Sequence, residues 1–339
     1  MRRTLKDVAN KAGVSRSAVS RAFTEGAPVS SEMRQKVMKA AQELGYSPNA
    51  LASSLTTGRT KLVGLVSNNF HNPFFLEIFD LFTSNLQDAG LRPLLVNLSN
   101  ETEPHGSLRM MQQYSVDGVI LASSTLPVGF ARAFRDAGMP IVHAFGRYSG
   151  QPQVHVVGID NVEAGRMAAS TLAARGYRKV TFLAGPEAAT TTQDRLQGFR
   201  QQMALHPEIE TDVTFGSAYS FAAGRRAMLE LIRRARAEAY FCGDDVLSIG
   251  ALSALRENGI RVPEDVGIIG LNDMEMASWE IINLTTIRQP IRPMIRSAVK
   301  LMTSILYEEN AVPEARLFPC EIVERGTLRP LPRTRRRGT

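Results

Sequence analysis

Apolar positions in the first 46 residues recur with a helical period that breaks at defined points. Leu5, Val8 and Ala9 fall on one helical face, then Ala12-Gly13-Val14 interrupts it. A second short helix follows, with Ser15 as its N-cap and Val19, Ala22 and Phe23 facing inward. Ser31–Leu44 repeats the pattern through Val37, Ala40, Ala41 and Leu44, and Gly45 stops it. Two short helices joined by a tight Gly-containing turn form a helix-turn-helix, which lays its second helix in the DNA major groove. Arg16, Ser17 and Arg21 then point outward toward base edges and phosphates, while Ser15, Ser20 and Thr4 are placed to hold phosphates. A plain helical hairpin with a solvated basic face is the competing reading of the same residues.

Ser47–Leu55 reads differently. Ser47 is a good N-cap and Pro48 sits at the first helical position, so the segment is primed to be helical. Yet it spans about two turns, well short of the roughly 12–15 residues that an isolated helix needs in water. It is expected to fray alone and to be helical only against a partner.

From Lys61 the texture becomes strand–helix alternation. Apolar runs at Leu62–Val66, Leu94–Leu98, Val116–Leu121 and Ile141–Ala144 alternate with helical stretches such as Phe74–Ala89 and Val128–Ala137. The pattern restarts with Val154–Ile159, Val180–Ala184, Ala239–Cys242 and Val266–Ile269. Between these runs lie Glu163–Arg175, Asp194–Leu205, Phe221–Ala235 and Val246–Asn258. Such alternation means βαβ units and parallel sheets. Two sets in succession predict two doubly wound lobes with a cleft between the carboxyl ends of their strands. Ile287–Asn310 and Leu317–Val323 return to finish the lobes.

Length and charge sharpen this picture. A chain of 339 residues suits two or three domains, and 44% hydrophobic with 22% charged residues is a globular balance. Residues 1–60 hold ten Lys/Arg against four Asp/Glu, and residues 328–339 hold five Arg and no acid, so the body between is mildly acidic. A basic head on such a body points to a polyanion partner for the head. The Arg333–Arg337 tail reads first as a solvated end, with contact to nucleic acid as the alternative. No run reaches signal-peptide or membrane-span length, so a cytoplasmic location without a membrane partner is expected. Cys242 and Cys320 match no metal-ligand spacing and read as reduced thiols. No phosphate-binding glycine loop, nucleophile elbow or zinc-protease motif occurs, so neither an enzyme nor a cofactor or metal is expected.

Thr4-Leu5-Lys6-Asp7-Val8-Ala9, Ala12-Gly13-Val14-Ser15 and Val19-Ser20-Arg21 together resemble the DNA-binding headpiece of the LacI/GalR family, with Ala18 where that pattern has Thr. The resemblance runs over nearly the whole chain. It implies an all-α headpiece followed by a two-lobed α/β domain of periplasmic-binding-protein type, built on two doubly wound parallel sheets. Residues 1–46 would be the headpiece and 47–60 the hinge helix and linker. Residues 61–339 would bind effector and dimerise, with lobe one at about 61–160 plus 290–320 and lobe two at about 161–289 plus 321–330. By the same resemblance the hinge enters the minor groove of a palindromic double-stranded operator, with Leu55 as wedge and Asn49 and Ala52 on the groove side. A plain linker is the alternative there.

Effector candidates lie where strands end. Asn72 precedes Phe74 and Phe75, which match ligand-facing aromatic positions of the family and would otherwise be core residues at a helix start. Arg195, read as opening the helix after Gly185–Asp194, matches an effector-binding arginine. Tyr219 matches an aromatic that packs on the ligand. Asp244 and Asp245 form an N-cap pair, one capping and the other, Asp244, accepting from ligand hydroxyls; the family often has Asn-Asp here. Asn272 stands where the family commonly has an acid. The expected function is a transcriptional regulator, most often a repressor in this family, acting as a homodimer under a small-molecule effector. A sugar, a sugar acid and a purine-like base all suit such a cleft, with a carbohydrate preferred. The alternative is a cytoplasmic solute-binding or sugar-modifying protein without specific DNA binding.

Overall fold

The computed structural model describes residues 3–24, 26–48, 58–98, 104–126, 128–148, 150–234, 236–308 and 311–332. Asn49, Ala52, Leu55 and Arg333–Arg337 lie outside the described residues. The chain divides into two compact units, Met1–Thr60 and Lys61–Thr339.

The first unit holds α1 (Leu5–Ala12), α2 (Arg16–Phe23) and α3 (Ser31–Leu44). Each start is capped by a hydroxyl. Thr4 forms a reciprocal capping box with Asp7, while Ser15 and Ser30 accept from the backbone N–H groups of Ala18 and Met33. Gly13 and Gly45 end α1 and α3 in the left-handed region, both at φ +61°, which a side chain would strain. Val8, Ala9, Val19, Ala22, Val37 and Ala41 form the core of the three helices. Arg34 of α3 donates to the Ala22 carbonyl at 2.5 Å, satisfying an acceptor in the last turn of α2.

The second unit opens with lobe one: β1 (Leu62–Ser67), α4 (Phe74–Asp88), β2 (Arg92–Asn97), α5 (His105–Gln113), β3 (Gly118–Ala122), α6 (Val128–Asp136), β4 (Ile141–Ala144) and β5 (His155–Ile159). Lobe two follows with α7 (Asn161–Ala174), β6 (Lys179–Ala184), α8 (Thr190–Met203), β7 (Glu210–Phe215), α9 (Phe221–Arg234), β8 (Ala239–Cys242), α10 (Asp245–Glu257), β9 (Gly267–Asn272) and β10 (Thr286–Arg288). Then α11 (Ile291–Tyr307) returns to pack on α4, β3 and β4. Finally β11 (Ala315–Phe318) joins the first sheet and β12 (Glu321–Val323) the second.

The sheet orders are β11-β5-β4-β3-β1-β2 and β12-β10-β9-β8-β6-β7, the same order when each lobe's strands are counted from its start. All pairings are parallel except β10 with β12. The chain passes between lobes around Ile159–Asn161, Gln289–Ile291 and Pro319–Cys320, so the strand ends of both sheets border one cleft.

Three elements differ from the sequence pattern. β7 is an edge strand whose first three residues are exposed, so it shows no apolar run. α5 buries only Ser107 and Met111, too few for a visible stripe. α8 starts at Thr190, a turn before the expected Asp194, because its first turns bury the polar Thr191, Thr192 and Asp194. Periodicity of apolar residues does not register such a face.

Candidate functional site

On the headpiece, α2 turns Ala18, Val19 and Ala22 into the core, which leaves Arg16, Ser17, Ser20 and Arg21 exposed on the opposite side. Ser15 caps the helix, its Oγ accepting from the Ala18 N–H at 3.1 Å and sharing a hydrogen bond with the Ser17 hydroxyl at 2.9 Å. Thr4 stands at the start of α1, its hydroxyl donating to Asp7 at 2.9 Å. Both hydroxyls therefore sit at helix N-termini, where backbone N–H groups and the helix dipole favour an anion.

Between the lobes lies a narrow, nearly closed cavity whose solvent-accessible interior is about 20 Å³, close to the room needed by one water molecule. Phe74, Phe75, Arg195, Tyr219, Asp244 and Asn272 all line it. Asn72 does not, but its amide donates to Asp244 Oδ2 at 3.0 Å. Six of the seven expected residues thus converge, and the seventh touches one of them.

Arg195 is placed by helix packing. α7 and α8 approach so closely that a Cβ on Gly165 would sit 2.1 Å from the Arg195 carbonyl, and one on Gly198 would sit 1.8 Å from the Val162 carbonyl. The guanidinium is then fixed by Nε donating to Asn161 Oδ1 at 2.8 Å and Nη1 donating to the Gly243 carbonyl at 2.7 Å. Its planar fork is held at the cavity wall. Tyr219 lies over Gly185, whose Cβ would meet the ring at 2.2 Å, and its hydroxyl pairs with that of Thr192 at 2.7 Å.

Asp244 both caps α10 and lines the cleft, where the sequence reading expects one carboxylate of the pair to cap and the other to face the cleft. Oδ1 of Asp244 accepts from the Val246 N–H at 2.8 Å and caps α10, while Oδ2 accepts from Asn72 and, at 2.9 Å, from Asn272. Asp245 instead accepts from the Thr286 hydroxyl at 2.6 Å and the Met274 N–H at 2.9 Å. A cap is a position on the backbone, and Asp244 reaches the cleft from it. Burial pushes the Asp244 carboxyl up to about 6, against the Val246 N–H, the amides and the Arg195 charge. Burial likewise raises that of Asp245. Gln289 completes the polar row, donating to Asn272 Oδ1 at 2.6 Å. Thr191 bridges the lobes by donating to the Ser124 carbonyl at 2.9 Å, and Arg147 of lobe one pairs with Asp194 of lobe two at 2.7 Å.

Sequence reasoning missed Thr191, in the first turn of α8, and Ser124, Phe145, Ile159, Asn161 and Gln289 as lining residues. The last five stand at or just beyond the carboxyl end of β3, β4, β5 or β10. The strand-end rule, applied to every strand rather than to the motif-like ones, would have found them. Among the described residues no cluster of His, Cys, Asp or Glu could hold a metal ion.

A helix-turn-helix with an exposed basic face, followed by a two-lobed cleft with a buried polar row, defines the class of ligand-responsive DNA-binding regulators. Residues 4–49 match the model for bacterial regulatory proteins of the lacI family, and residues 169–328 that for a periplasmic binding protein-like domain. The chain is 35% identical over 322 residues to the HTH-type transcriptional regulator CelR of Thermobifida fusca, covering 92% of this chain and 94% of that one. It is 32% identical over 333 residues to the HTH-type transcriptional repressor PurR of Escherichia coli O139:H28, covering 96% of each. A CelR–cellobiose complex superposes with TM-score 0.71 at 32% identity, over 96% of this chain and 100% of that one. The lac repressor dimer bound to operator and the anti-inducer ONPF gives TM-score 0.84 at 25% identity, over 96% and 99%. The chain belongs to the lacI family of bacterial regulatory proteins and is a DNA-binding transcriptional regulator.

Proposed function

We propose that the protein is a cytoplasmic repressor that grips a palindromic operator as a homodimer and is controlled by an uncharged sugar or sugar derivative held between its lobes. The observation that carries the effector assignment is the cavity's lining. Among the described residues its only charged side chains are Arg195 and Asp244, of opposite sign, accompanied by three amides, two hydroxyl residues and aromatic rings. A balanced pair among amides suits hydroxyl groups, which donate and accept, better than a sugar acid or a phosphate.

Arg16, Ser17 and Arg21 read the major groove, Thr4, Ser15 and Ser20 hold phosphates, and Asn49, Ala52 and Leu55 enter the minor groove. Asn72, Phe74, Phe75, Arg195, Tyr219, Asp244 and Asn272 bind the effector. Effector binding changes the relation of the lobes and with it the spacing of the paired hinge segments. Operator affinity shifts by a coupling of typically about 1–3 kcal/mol, and the coupling is reciprocal. A gel shift with DNA flanking the protein's own gene, with and without glucose, galactose, xylose and cellobiose, tests this. A specific shift changed by one sugar supports it. A shift equal on random DNA and indifferent to every sugar overturns it.

A further inference from the structure

We propose that Phe145 selects the effector from the lobe-one side, an inference that rests on the cavity being the effector site. Phe145 follows β4 with φ +64°, in the left-handed region that a bulky aromatic residue rarely adopts. The surroundings impose the bend. Its N–H donates to the Val157 carbonyl at 2.8 Å, and a Cβ on the next residue, Gly146, would sit 2.5 Å from the His143 ring.

Lobe two bends in the same way at the matching place. β9 holds the position in its sheet that β4 holds in the first, and it ends in Asn272 at φ +129° and Asp273 at +57°. Each lobe therefore turns to positive φ where its fourth strand ends at the cavity wall, and one residue of each turn, Phe145 or Asn272, lines the cavity. Asparagine tolerates that conformation; phenylalanine does not. A costly backbone conformation kept at the wall of a site points to use of the side chain it carries.

The use is legible in the ring's neighbours. Phe145 packs edge-on to Phe74 at 6.1 Å and 76° and to Phe75 at 5.9 Å and 62°. These rings, with Ile159, make lobe one's side of the cavity mostly apolar; Ser124 is its polar lining residue, and the Ser124 carbonyl already accepts from Thr191. Lobe two supplies Asn161, Arg195, Asp244 and Asn272. A ligand with one C–H face and one hydroxyl-bearing edge fits this two-sided wall in a single orientation. A charge, or a hydroxyl placed away from Ser124, turned toward lobe one would be buried against rings without a partner. Phe145 thus orients the effector and rejects those that are polar on that face.

The test is calorimetric titration of the full-length protein and of Phe145→Leu and Phe145→Asn with glucose, galactose, xylose and cellobiose. Operator binding without sugar checks that each variant is folded. Phe145→Leu keeps apolar bulk but no flat face, and is expected to bind the preferred sugar at least tenfold more weakly. Phe145→Asn suits the backbone but puts an amide on the wall, and is expected to change the order of preference. Either variant decides the matter if the other fails to fold. Native order and strength in a folded variant would overturn the role of Phe145 alone. A native protein that binds none of the four sugars would overturn the effector reading of the cavity, and this inference with it.

Discussion

The amide of Asn72 donates to Oδ2 of Asp244 at 3.0 Å, joining lobe one to lobe two across 172 residues of sequence. Both side chains are 5% exposed, so the bond is made away from water. The two amides and the Val246 N–H favour a charged Asp244, but burial outweighs them and lifts its carboxyl to about 6. Its protonation state should therefore govern what the cavity can hold.

Asp244 is raised to about 6 by burial, so it is partly protonated in mildly acidic buffer and charged above neutrality. Affinity for an uncharged polyhydroxy effector is expected to rise as pH climbs through about 6 and to level off above it. Asp244→Asn should remove that step and weaken binding by about 1.5–3 kcal/mol, the range for a hydrogen bond to a charged group. Calorimetry between pH 5 and 8 checks both, and a flat native profile would contradict them.

His143 is buried at 3% exposure with Nε2 donating to the Ser123 carbonyl at 3.0 Å, and burial lowers its pKa to about 4. Its folded pKa lies below the unfolded one, so its stabilising contribution is present above about 6.5 and is lost as pH falls toward 4. The full loss is about 3 kcal/mol at the usual 1.4 kcal/mol per pH unit. Asp244 and Asp245, raised by burial, act in the opposite sense, their contribution fading as pH rises through their folded values. Comparing denaturant unfolding of native protein and His143→Gln at pH 4.5 and 7.5 cancels the shared carboxylates. The variant should lose less stability on acidification; equal losses would show that His143 is not held neutral.

Gly165 and Gly198 let α7 and α8 touch through their backbones and so set Arg195. Gly198→Ala would place a methyl 1.8 Å from the Val162 carbonyl. Overpacking typically costs about 1–3 kcal/mol, and rigid backbone on both sides puts this case at the upper end. Gly129→Ala is the matched control: the glycine lies in α6 with nothing within 4 Å of an added Cβ. It should stabilise by roughly 0.5–1 kcal/mol. Thermal melts that move both variants the same way would refute the close-approach argument.

For DNA binding, Arg21→Ala and Leu55→Ala should each weaken operator binding while leaving sugar titrations unchanged. Loss of an arginine that contacts bases or phosphates costs about 1–3 kcal/mol. Loss of the wedge should also reduce the bend of bound DNA, read by circularly permuted gel-shift fragments. Unaltered operator affinity in Leu55→Ala would remove the wedge from the proposal.

Much of the fold is written in local patterns that need no tertiary context. Ser15, Ser30, Gly13 and Gly45 announce helix ends because capping and left-handed turns are satisfied by residues next to each other. Apolar runs such as Ala239–Cys242 announce central parallel strands because both faces are buried. The edge strand Glu210–Phe215 stayed hidden since only one side of it is covered. Phe74, Arg195 and Asn272 were reachable through strand ends and family motifs. Phe145 was not, because its role depends on a backbone angle and on rings more than 60 residues away in sequence, neither of which leaves a local trace.

The third passage of the chain from one lobe to the other, at Pro319–Cys320, separates β11 from β12 by two residues. One short C-terminal stretch therefore edges both sheets, and removing it would strip a strand from each. An engineered chimaera that exchanges one half of the clamshell with a relative needs three splice points, since a single cut leaves one sheet with a foreign border. Recombination between paralogues should accordingly swap sensors whole rather than by halves.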